Sequence, residues 1–166
     1  MLNIVPLSEE HIDEIVKIET ECFSNPWSEK SFRGFLENPA AVCYTATENK
    51  ESQESQENKT EVAGYLFSYH IIDEIQILNV AVEKSRRNSK IATKLFDVIF
   101  DYAKNNKVTE FTLEVRQSNL AAIGLYKKLG FKIDGVRKNY YAKPKEDAVL
   151  MSLRDLRSFG DLNFGG

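Results

Sequence analysis

The sequence predicts an α/β (α+β) fold in which helices cover both faces of a mixed β-sheet. Three observations lead to this prediction: several segments alternate apolar and polar residues with a period of two, others space their apolar residues as on one side of a helix, and the two kinds interleave along the chain. Their order is β-α-α-β-β-β-α-β-α-β-β. The 166 residues, 42% of them hydrophobic, are enough for a single domain with a packed core and a ligand cleft.

A short strand and two helices open the chain. The strand covers Asn3 to Pro6, and Ser8 begins a helix. The apolar stripe of this helix consists of Ile12, Ile15, Ile18 with Glu19, and Cys22. A second helix covers Ser28 to Glu37 and stops before Pro39.

An acidic segment, residues 48–61, separates the next two strands. The strands are predicted over Ala41–Ala46 and Val62–Tyr69. Five Glu residues in the segment (48, 51, 54, 57 and 61) face only Lys50 and Lys59, so the segment carries the whole formal charge of −3. Residues 48–59 include no aromatic or aliphatic side chain whose burial could offset the ordering entropy. The sequence therefore predicts a flexible loop within a hairpin.

The second half of the chain alternates strands and helices. Strands are predicted over Glu74–Val82, Glu110–Arg116, Phe131–Tyr141 and Ala148–Leu153, and helices over Ser89–Asn106 and Asn119–Leu129. Asn119 is the expected N-cap of the last helix, and Gly130 its C′ residue, where a positive φ costs Gly little. Residues 154–166 form a C-terminal tail without a clear period.

Composition and charge exclude several classes of function. No apolar run approaches the roughly 18 residues of a membrane span, and no signal peptide is expected at Met1–Pro6. Cys22 and Cys43 stand alone, which indicates neither a disulfide framework nor a metal site. Outside the acidic segment the charges balance, so nucleic acid is not expected as a partner. The sequence thus favours a soluble, cytoplasmic protein.

Six segments together resemble one enzyme family. They are Pro26–Phe32, Ile77–Val82, Leu113–Asn119, Ala121–Phe131, Arg137–Tyr141 and Glu146–Ala148. In this order the chain resembles the GNAT acetyltransferase superfamily, and within it the bacterial enzymes that acetylate the N-terminal alanine of a small-subunit ribosomal protein. The resemblance covers residues 1–153. It implies a mostly antiparallel sheet of about seven strands, a cofactor cleft between central parallel strands, acetyl-CoA as acetyl donor and no metal.

The resemblance assigns the donor site to two segments. Main-chain groups of Val80, Ala81 and Val82 would bind the thioester and the pantetheine arm, with the Val80 N–H directed at the developing oxyanion. The loop and first helical turn at Arg87, Asn88, Ser89, Lys90, Ile91, Ala92 and Thr93 would hold the pyrophosphate. From spacing alone, the first segment is simply a buried strand.

Lys90 departs from the family pattern, which has Gly at this position of the pyrophosphate loop. A Cβ there either pushes the phosphates outward or strains the turn. We expect Lys90 to keep a negative φ and to direct its ammonium group toward the phosphates. The basic neighbours Arg86 and Arg87 could add positive charge at the pyrophosphate loop, and the alternative is that both are solvated surface residues.

Glu114 and Tyr126 are the catalytic residues that the resemblance implies. Glu114 shares the polar face of its strand with Arg116, and the resemblance makes it the general base. Tyr126 would protonate the CoA thiolate, and Asn119, seven residues earlier, would contact the pantetheine or phosphate region. The alternatives are that Glu114 forms a surface pair with Arg116, that Tyr126 is a core aromatic residue, and that Asn119 is an ordinary N-cap.

The acceptor side falls on two further segments. By resemblance, the acceptor peptide would be walled by Trp27, Arg137, Asn139, Tyr140 and Tyr141. Each of these residues could instead serve ordinary packing, and His11 and His70 lie outside every motif. The implied function is acetyl transfer to a protein amino terminus in a ternary complex. Alternatives are another acceptor, such as a lysine side chain, another terminus or a small amine, and a weakly active acyl-CoA-binding regulator; the target and the oligomeric state stay open.

Overall fold

The computed structural model describes residues 1–50 and 59–154 of the chain. These residues form seven strands: β1 Leu2–Pro6, β2 Tyr44–Lys50, β3 Lys59–Ile71, β4 Glu74–Val82, β5 Glu110–Arg116, β6 Lys132–Ala142 and β7 Lys145–Leu153. In the same described ranges there are four α-helices: α1 Ile12–Cys22, α2 Glu29–Glu37, α3 Ile91–Asn105 and α4 Leu120–Lys128. The order of strands and helices is the predicted one. Among the described residues, no helix has both the length and the apolar character to cross a membrane.

The strands form one sheet in the order β1-β2-β3-β4-β5-β7-β6. β4 and β5 are parallel, with Glu74–Ile77 in register with Glu110–Leu113. The pairs β1–β2, β2–β3, β5–β7 and β6–β7 are antiparallel. This confirms the prediction of a mixed, mostly antiparallel sheet.

The two strands extend further into the acidic segment than the sequence predicts, while β2 begins at Tyr44 instead of the predicted Ala41. β2 and β3 remain paired through Glu48↔Glu61 to Lys50↔Lys59. The hydrogen bonds between paired strands join main-chain groups and need no apolar side chain. The change to a polar composition therefore does not coincide with the ends of the two strands. Residues 51–58, the centre of the predicted loop, and residues 155–166 of the tail lie outside the described residues.

Two helix starts differ from their predicted positions. Residues Glu9–His11 form a 3₁₀ turn before α1, and α3 begins at Ile91 instead of Ser89. A further 3₁₀ turn at Lys84–Arg86 has no counterpart in the prediction. Three-residue turns leave too short a pattern for hydrophobic periodicity to detect.

The chain divides into two compact units. Unit 1 comprises residues 1–69 and 78–99, and unit 2 comprises residues 70–77 and 100–166. In unit 1, an aromatic core combines Phe32, Phe35, Tyr65 and Phe67, with ring centroids 4.9–5.9 Å apart. Edge and tilted contacts of this kind add to the free energy of burial.

Unit 2 has its own aromatic packing. Phe111 of β5 packs edge-on against Phe100 at 5.1 Å and against Phe131 at 6.4 Å, and Tyr126 lies 5.8 Å from Phe131. The chain between α4 and β6 turns at Gly130, whose φ of +97° is the value expected for a C′ glycine. α4 and β6 are thereby packed within one unit.

His11 has a structural position at the beginning of α1. Its Nδ1 accepts a hydrogen bond from the Ser8 main-chain N–H at 3.2 Å, and the residue is only 6% exposed. Burial lowers the pKa of His11 below its ordinary 6.5, against the opposing effect of the Glu10 and Glu14 carboxylates. The neutral imidazole is therefore the form that the fold favours.

We predict that His11 makes stability depend on pH. His11 binds a proton at about pH 6.5 in the unfolded chain and only at lower pH in the folded chain. The contribution of the neutral imidazole to the free energy of unfolding is therefore fully present above pH 6.5 and is lost as the pH falls toward the folded-state pKa. His11→Gln keeps an acceptor for the Ser8 N–H but does not titrate. Urea unfolding at pH 7.5 and 5.5 should show a smaller loss of stability in the variant, and equal losses would contradict the prediction.

Candidate active site

The expected site residues fall into two sets, one in each unit. Unit 1 contains Trp27, Val80, Ala81, Val82, Arg87, Asn88, Ser89, Lys90, Ile91, Ala92 and Thr93. Unit 2 contains Glu114, Asn119, Tyr126, Arg137, Asn139, Tyr140 and Tyr141. Each set has a distinct arrangement of its own.

The C-terminal half of β4 is closely approached by the β3 main chain. A Cβ added at Gly64 would lie 2.7 Å from the Ala81 carbonyl oxygen and 3.3 Å from Ile91 Cγ2. The Glu83 N–H donates to the Ala63 carbonyl at 2.9 Å, which continues the contact past the end of β4. This segment of main chain is therefore closely packed against β3 within unit 1.

Arg86 braces the loop that follows β4. Its guanidinium donates to Glu48 at 2.8 Å, Glu61 at 2.8 Å and Glu83 at 2.7 Å, and only 15% of the side chain is exposed. Three carboxylates around one cation leave it little capacity to attract a further anion. The neighbouring Arg87 is exposed and approaches the Cys22 sulfur at 3.4 Å.

Lys90 has a φ of +62°, so the prediction of a negative φ was wrong. Asn88 has a φ of +64°, and the Lys94 N–H donates to the Lys90 carbonyl at 3.0 Å. The left-handed conformation, which Gly adopts at no steric cost, is thus retained by a lysine at the beginning of α3. The cost for a residue with a Cβ is about 1–2 kcal/mol.

We predict that Lys90→Gly raises the melting temperature by a few degrees, because it removes this backbone strain. Acetyl-CoA affinity should change by less than about tenfold, since the loop already has the shape that Gly favours, and its salt dependence should decrease with the lost cation. Thermal unfolding and calorimetric titration at two salt concentrations measure both effects.

Lys107 provides the matched control because its φ is +56° and it lies outside every expected site segment. Lys107→Gly should stabilise the fold similarly without changing acetyl-CoA binding. A hundredfold gain in affinity for Lys90→Gly would contradict the prediction and would mean that the lysine side chain obstructs the loop.

Glu114 lies at the centre of a cluster of acceptor-side residues in unit 2. On β5, Phe111, Leu113 and Val115 are buried while the Glu114 side chain is 32% exposed. Arg137 Nη1 is 3.0 Å from its Oε1. A hydrogen bond from the Tyr140 hydroxyl to Glu114 is the main reason that the pKa of Tyr140 lies above its ordinary value.

Two tyrosines and Arg137 complete this cluster. The Arg137 guanidinium lies 5.0 Å from the Tyr140 ring centroid, and the Tyr140 and Tyr141 rings meet edge-on at 5.0 Å. Burial raises the pKa of Tyr141 to about 12. The structure thus brings together the expected base and three of the expected acceptor-side residues.

Arg116 supports this cluster and was missed as a site residue. Its guanidinium lies 4.2 Å from the Tyr141 ring centroid and donates to the carbonyls of Lys143 and Pro144 at 3.0 and 2.9 Å. It also pairs with Glu146 at 3.3 Å. The only signal in the sequence was its place two residues after Glu114, on the same strand face.

Asn139 lies at an irregularity of β6. The β6–β7 register shifts between Arg137 and Tyr141, and Asn139 has a φ of +53°. Its N–H donates to Asp147 Oδ1 at 2.8 Å, while Lys138 Nζ is 2.9 Å from the other carboxylate oxygen and lowers the pKa of Asp147. Bulges of this kind redirect side chains, which no pattern in the sequence indicated.

Asn119 and Tyr126 occupy the two ends of α4. Asn119 Oδ1 accepts the Ala122 N–H at 3.2 Å, so its oxygen has the N-cap role that was the alternative to cofactor contact. Tyr126 is 8% exposed, and burial, followed by the nearby Tyr141, raises its pKa above the ordinary value of 10. Its hydroxyl consequently keeps its proton at neutral pH.

Trp27 lies in the loop between α1 and α2. Its ring stacks on Phe35 at 5.7 Å and contacts Phe32 at 5.6 Å, while its main-chain N–H donates to Glu19 Oε1 at 2.9 Å. One side of the indole is therefore fixed by the aromatic core.

Across residues 1–50 and 59–154, no group of three or more His, Cys, Asp and Glu side chains could hold a metal ion.

The sequence model of the Acetyltransferase (GNAT) family matches residues 12–131. Among known proteins, the [ribosomal protein bS18]-alanine N-acetyltransferase of Escherichia coli K12 is 30% identical over 138 residues, 82% of this chain and 86% of that protein. A Bacillus subtilis protein that bears this name provisionally is 36% identical over 143 residues, 86% of this chain and 88% of its own.

Solved structures show the same architecture. The crystal structure of the E. coli ribosomal-protein-S18-alanine N-acetyltransferase superposes with a TM-score of 0.80 at 29% identity, covering 93% of this chain and 94% of that one. Arabidopsis thaliana NAA60 in complex with a bisubstrate analogue has a TM-score of 0.82 at 17% identity, covers 93% of this chain and 99% of that one, and shows the fold alone. The family match and the two relatives establish the family, and the chain belongs to the GNAT acetyltransferases.

Proposed function

We propose that the protein transfers the acetyl group of acetyl-CoA to the N-terminal α-amine of a protein, with the N-terminal alanine of ribosomal protein bS18 as its natural acceptor. The observation that carries the proposal is the similarity to bS18-alanine N-acetyltransferases, at 30–36% identity over more than four fifths of both chains. The cluster around Glu114 supports it with a carboxylate beside aromatic and cationic groups.

Glu114 is the proposed general base. An α-ammonium group has a pKa of about 7.7–8.0, against about 10.4 for lysine, so a carboxylate needs to accept its proton only transiently. Glu114 does so directly or through one water. Arg137 and Tyr140 hold the carboxylate in a defined orientation until the acceptor arrives.

The donor is held by main-chain groups of unit 1 in this proposal. Val80, Ala81 and Val82 bind the thioester end, and the Val80 N–H stabilises the oxyanion, an interaction worth roughly 2.7–4 kcal/mol in other enzymes. N–H groups in the first turn of α3 have no partner within the helix and suit a pyrophosphate. The left-handed φ of Lys90 supports this role, because it retains the loop shape that the family builds with Gly.

Tyr126 is the proposed acid that protonates the departing thiolate. Burial raises the pKa of Tyr126 above its ordinary value and keeps the hydroxyl protonated, so it remains a donor to the negative charge that develops on the sulfur as the C–S bond breaks. The amine attacks the thioester directly, so no acetyl-enzyme is required. In this proposal Trp27, Asn139, Tyr140 and Tyr141 are the contacts of the acceptor peptide, and Asn119 is a contact of the pantetheine or phosphate region. Residues 1–153 form the transferase domain, and the reaction takes place in the cytoplasm.

Three peptides test the acceptor class. They carry the bS18 N-terminal sequence with a free Ala terminus, the same sequence with Ser first, and an α-blocked version that presents a lysine side chain. With acetyl-CoA, intact-mass measurement should show one acetyl group on the Ala and Ser peptides and none on the blocked peptide. Modification of the lysine alone would overturn the acceptor assignment, and acetyl-CoA binding without any product would favour a regulatory protein.

A further inference from the structure

Glu19 is a carboxylate in the interior of unit 1. It lies near the end of α1 and is only 1% exposed. Burial of an ionised carboxylate is costly unless several hydrogen bonds replace its hydration, and apolar side chains of similar volume often stabilise a core better. A residue that served packing alone would not need to be a glutamate here.

Three donors from three different elements converge on this carboxylate. Oε1 accepts the main-chain N–H of Trp27 at 2.9 Å. Oε2 accepts Asn79 Nδ2 of β4 at 2.9 Å and the hydroxyl of Tyr65 of β3. Tyr65 is fully buried, so its hydroxyl stays protonated and remains a donor. We call Glu19 with these three donors the Glu19 anchor.

Two of the three donors lie directly beside proposed substrate-binding groups. Trp27 belongs to the α1–α2 loop and is itself one of the residues proposed to bind the acceptor peptide. Asn79 immediately precedes Val80, whose N–H is the proposed oxyanion donor. Both segments belong to unit 1, and the Glu19 carboxylate is their common hydrogen-bond partner.

We propose that Glu19 is a positioning residue, which acts through Trp27 and Asn79 to hold the acceptor loop and the thioester-binding end of β4 in one arrangement. The inference rests on the proposed function for what these two segments bind. Errors of about 1 Å in such positions cost about 10²-fold in rate, so the loss of the anchor should be visible in kinetics as well as in stability.

Glu19→Gln tests the proposal with little change in shape. The amide keeps one acceptor oxygen but directs an NH₂ group at donors, so at least one anchor bond is lost. At a temperature where the variant is folded, we expect an acceptor KM raised about tenfold and a kcat lowered by about 10-fold or more, with acetyl-CoA affinity within about threefold of wild type. Glu21→Gln, on the exposed side of the same helix, is the matched control and should leave all three unchanged.

The only tryptophan of the chain provides a readout that does not depend on activity. In Glu19→Gln, acrylamide should quench Trp27 fluorescence more strongly than in wild type, because the loop loses its main-chain anchor. Asn79→Ala should lower kcat but keep wild-type quenching, since the Trp27 bond remains. In the double variant the two kcat losses should be clearly less than additive, because both remove the same interaction.

The outcomes separate this inference from the proposed function. If Glu19→Gln lowers only the melting temperature and leaves quenching, KM and kcat at wild-type values, Glu19 is merely structural and the proposal is wrong. If the wild type acetylates no peptide, the proposed function fails, and the quenching comparison alone decides whether Glu19 positions the loop. If Glu19→Gln does not fold, Asn79→Ala decides, and an unchanged kcat in that variant overturns the inference.

Discussion

Glu114→Gln is expected to lower kcat/KM by about 10²–10⁴-fold at pH 7 while leaving the fold and acetyl-CoA binding intact. The amide keeps an oxygen for Arg137 and Tyr140 but cannot accept the proton of the acceptor ammonium group. The loss should become smaller as the pH rises past about 7.7–8.0, where the α-amine loses its proton without help. Steady-state kinetics between pH 6.5 and 9 with an Ala-terminated peptide measure both effects.

Glu110→Gln is the control for this experiment. Glu110 lies on the same strand, is 29% exposed against 32% for Glu114, and pairs with Arg154 at 2.7 Å. It therefore reproduces a partly exposed Glu–Arg pair without any proposed role in catalysis, and its substitution should leave kcat/KM unchanged. Equal activity of wild type and Glu114→Gln at pH 7 would remove Glu114 from the mechanism.

Tyr126→Phe is expected to lower kcat by about 10²-fold, because only the proton for the leaving thiolate is lost. Acetyl-CoA affinity should be nearly unchanged, since the ring still fills its buried place against Phe131. A thioester whose thiol is more acidic than that of CoA needs less protonation, so such a donor should restore part of the rate. Kinetics with both donors and calorimetric titration of acetyl-CoA test these expectations.

Tyr102→Phe is a suitable control, because the Tyr102 hydroxyl also makes a hydrogen bond, to His70 Nδ1 at 3.0 Å, and has no proposed catalytic role. It should leave kcat and the donor dependence unchanged. A collapse of acetyl-CoA binding or of the fold in Tyr126→Phe would show that this tyrosine has a packing role, the alternative that its burial in unit 2 also allows.

Regular elements of this fold could be predicted because their patterns are local. β4 and β5 begin and end at the predicted residues, since apolar side chains alternate along both. The same alternation placed Glu114 on the polar face of β5. Side chains on one strand are fixed relative to each other by backbone geometry alone, so this part of the candidate site required no tertiary information.

The parts that could not be predicted depend on contacts between distant segments. Glu19 reads as a polar interruption of the apolar stripe of α1, and only the donors from β3, β4 and the α1–α2 loop reveal its burial. Arg86 is predicted from the sequence as a source of positive charge, whereas in the structure three carboxylates from β2, β3 and the loop after β4 surround it. The φ of Lys90 is a further case. A lysine favours a negative φ, but the loop holds this residue in the left-handed conformation.

Because of the Arg116 side chain, strand β5 both carries the proposed base and supports the β6–β7 hairpin. β5 carries the proposed base at Glu114, and two residues later it holds the turn at Lys143 and Pro144 together with the ring of Tyr141. An engineer who wishes to redirect this enzyme to a new acceptor could therefore vary the β6–β7 hairpin while keeping position 116 constant. Loop libraries that preserve Arg116 would keep the position of the β6–β7 hairpin relative to Glu114. Libraries that replace Arg116 would change acceptor choice and catalytic rate at the same time.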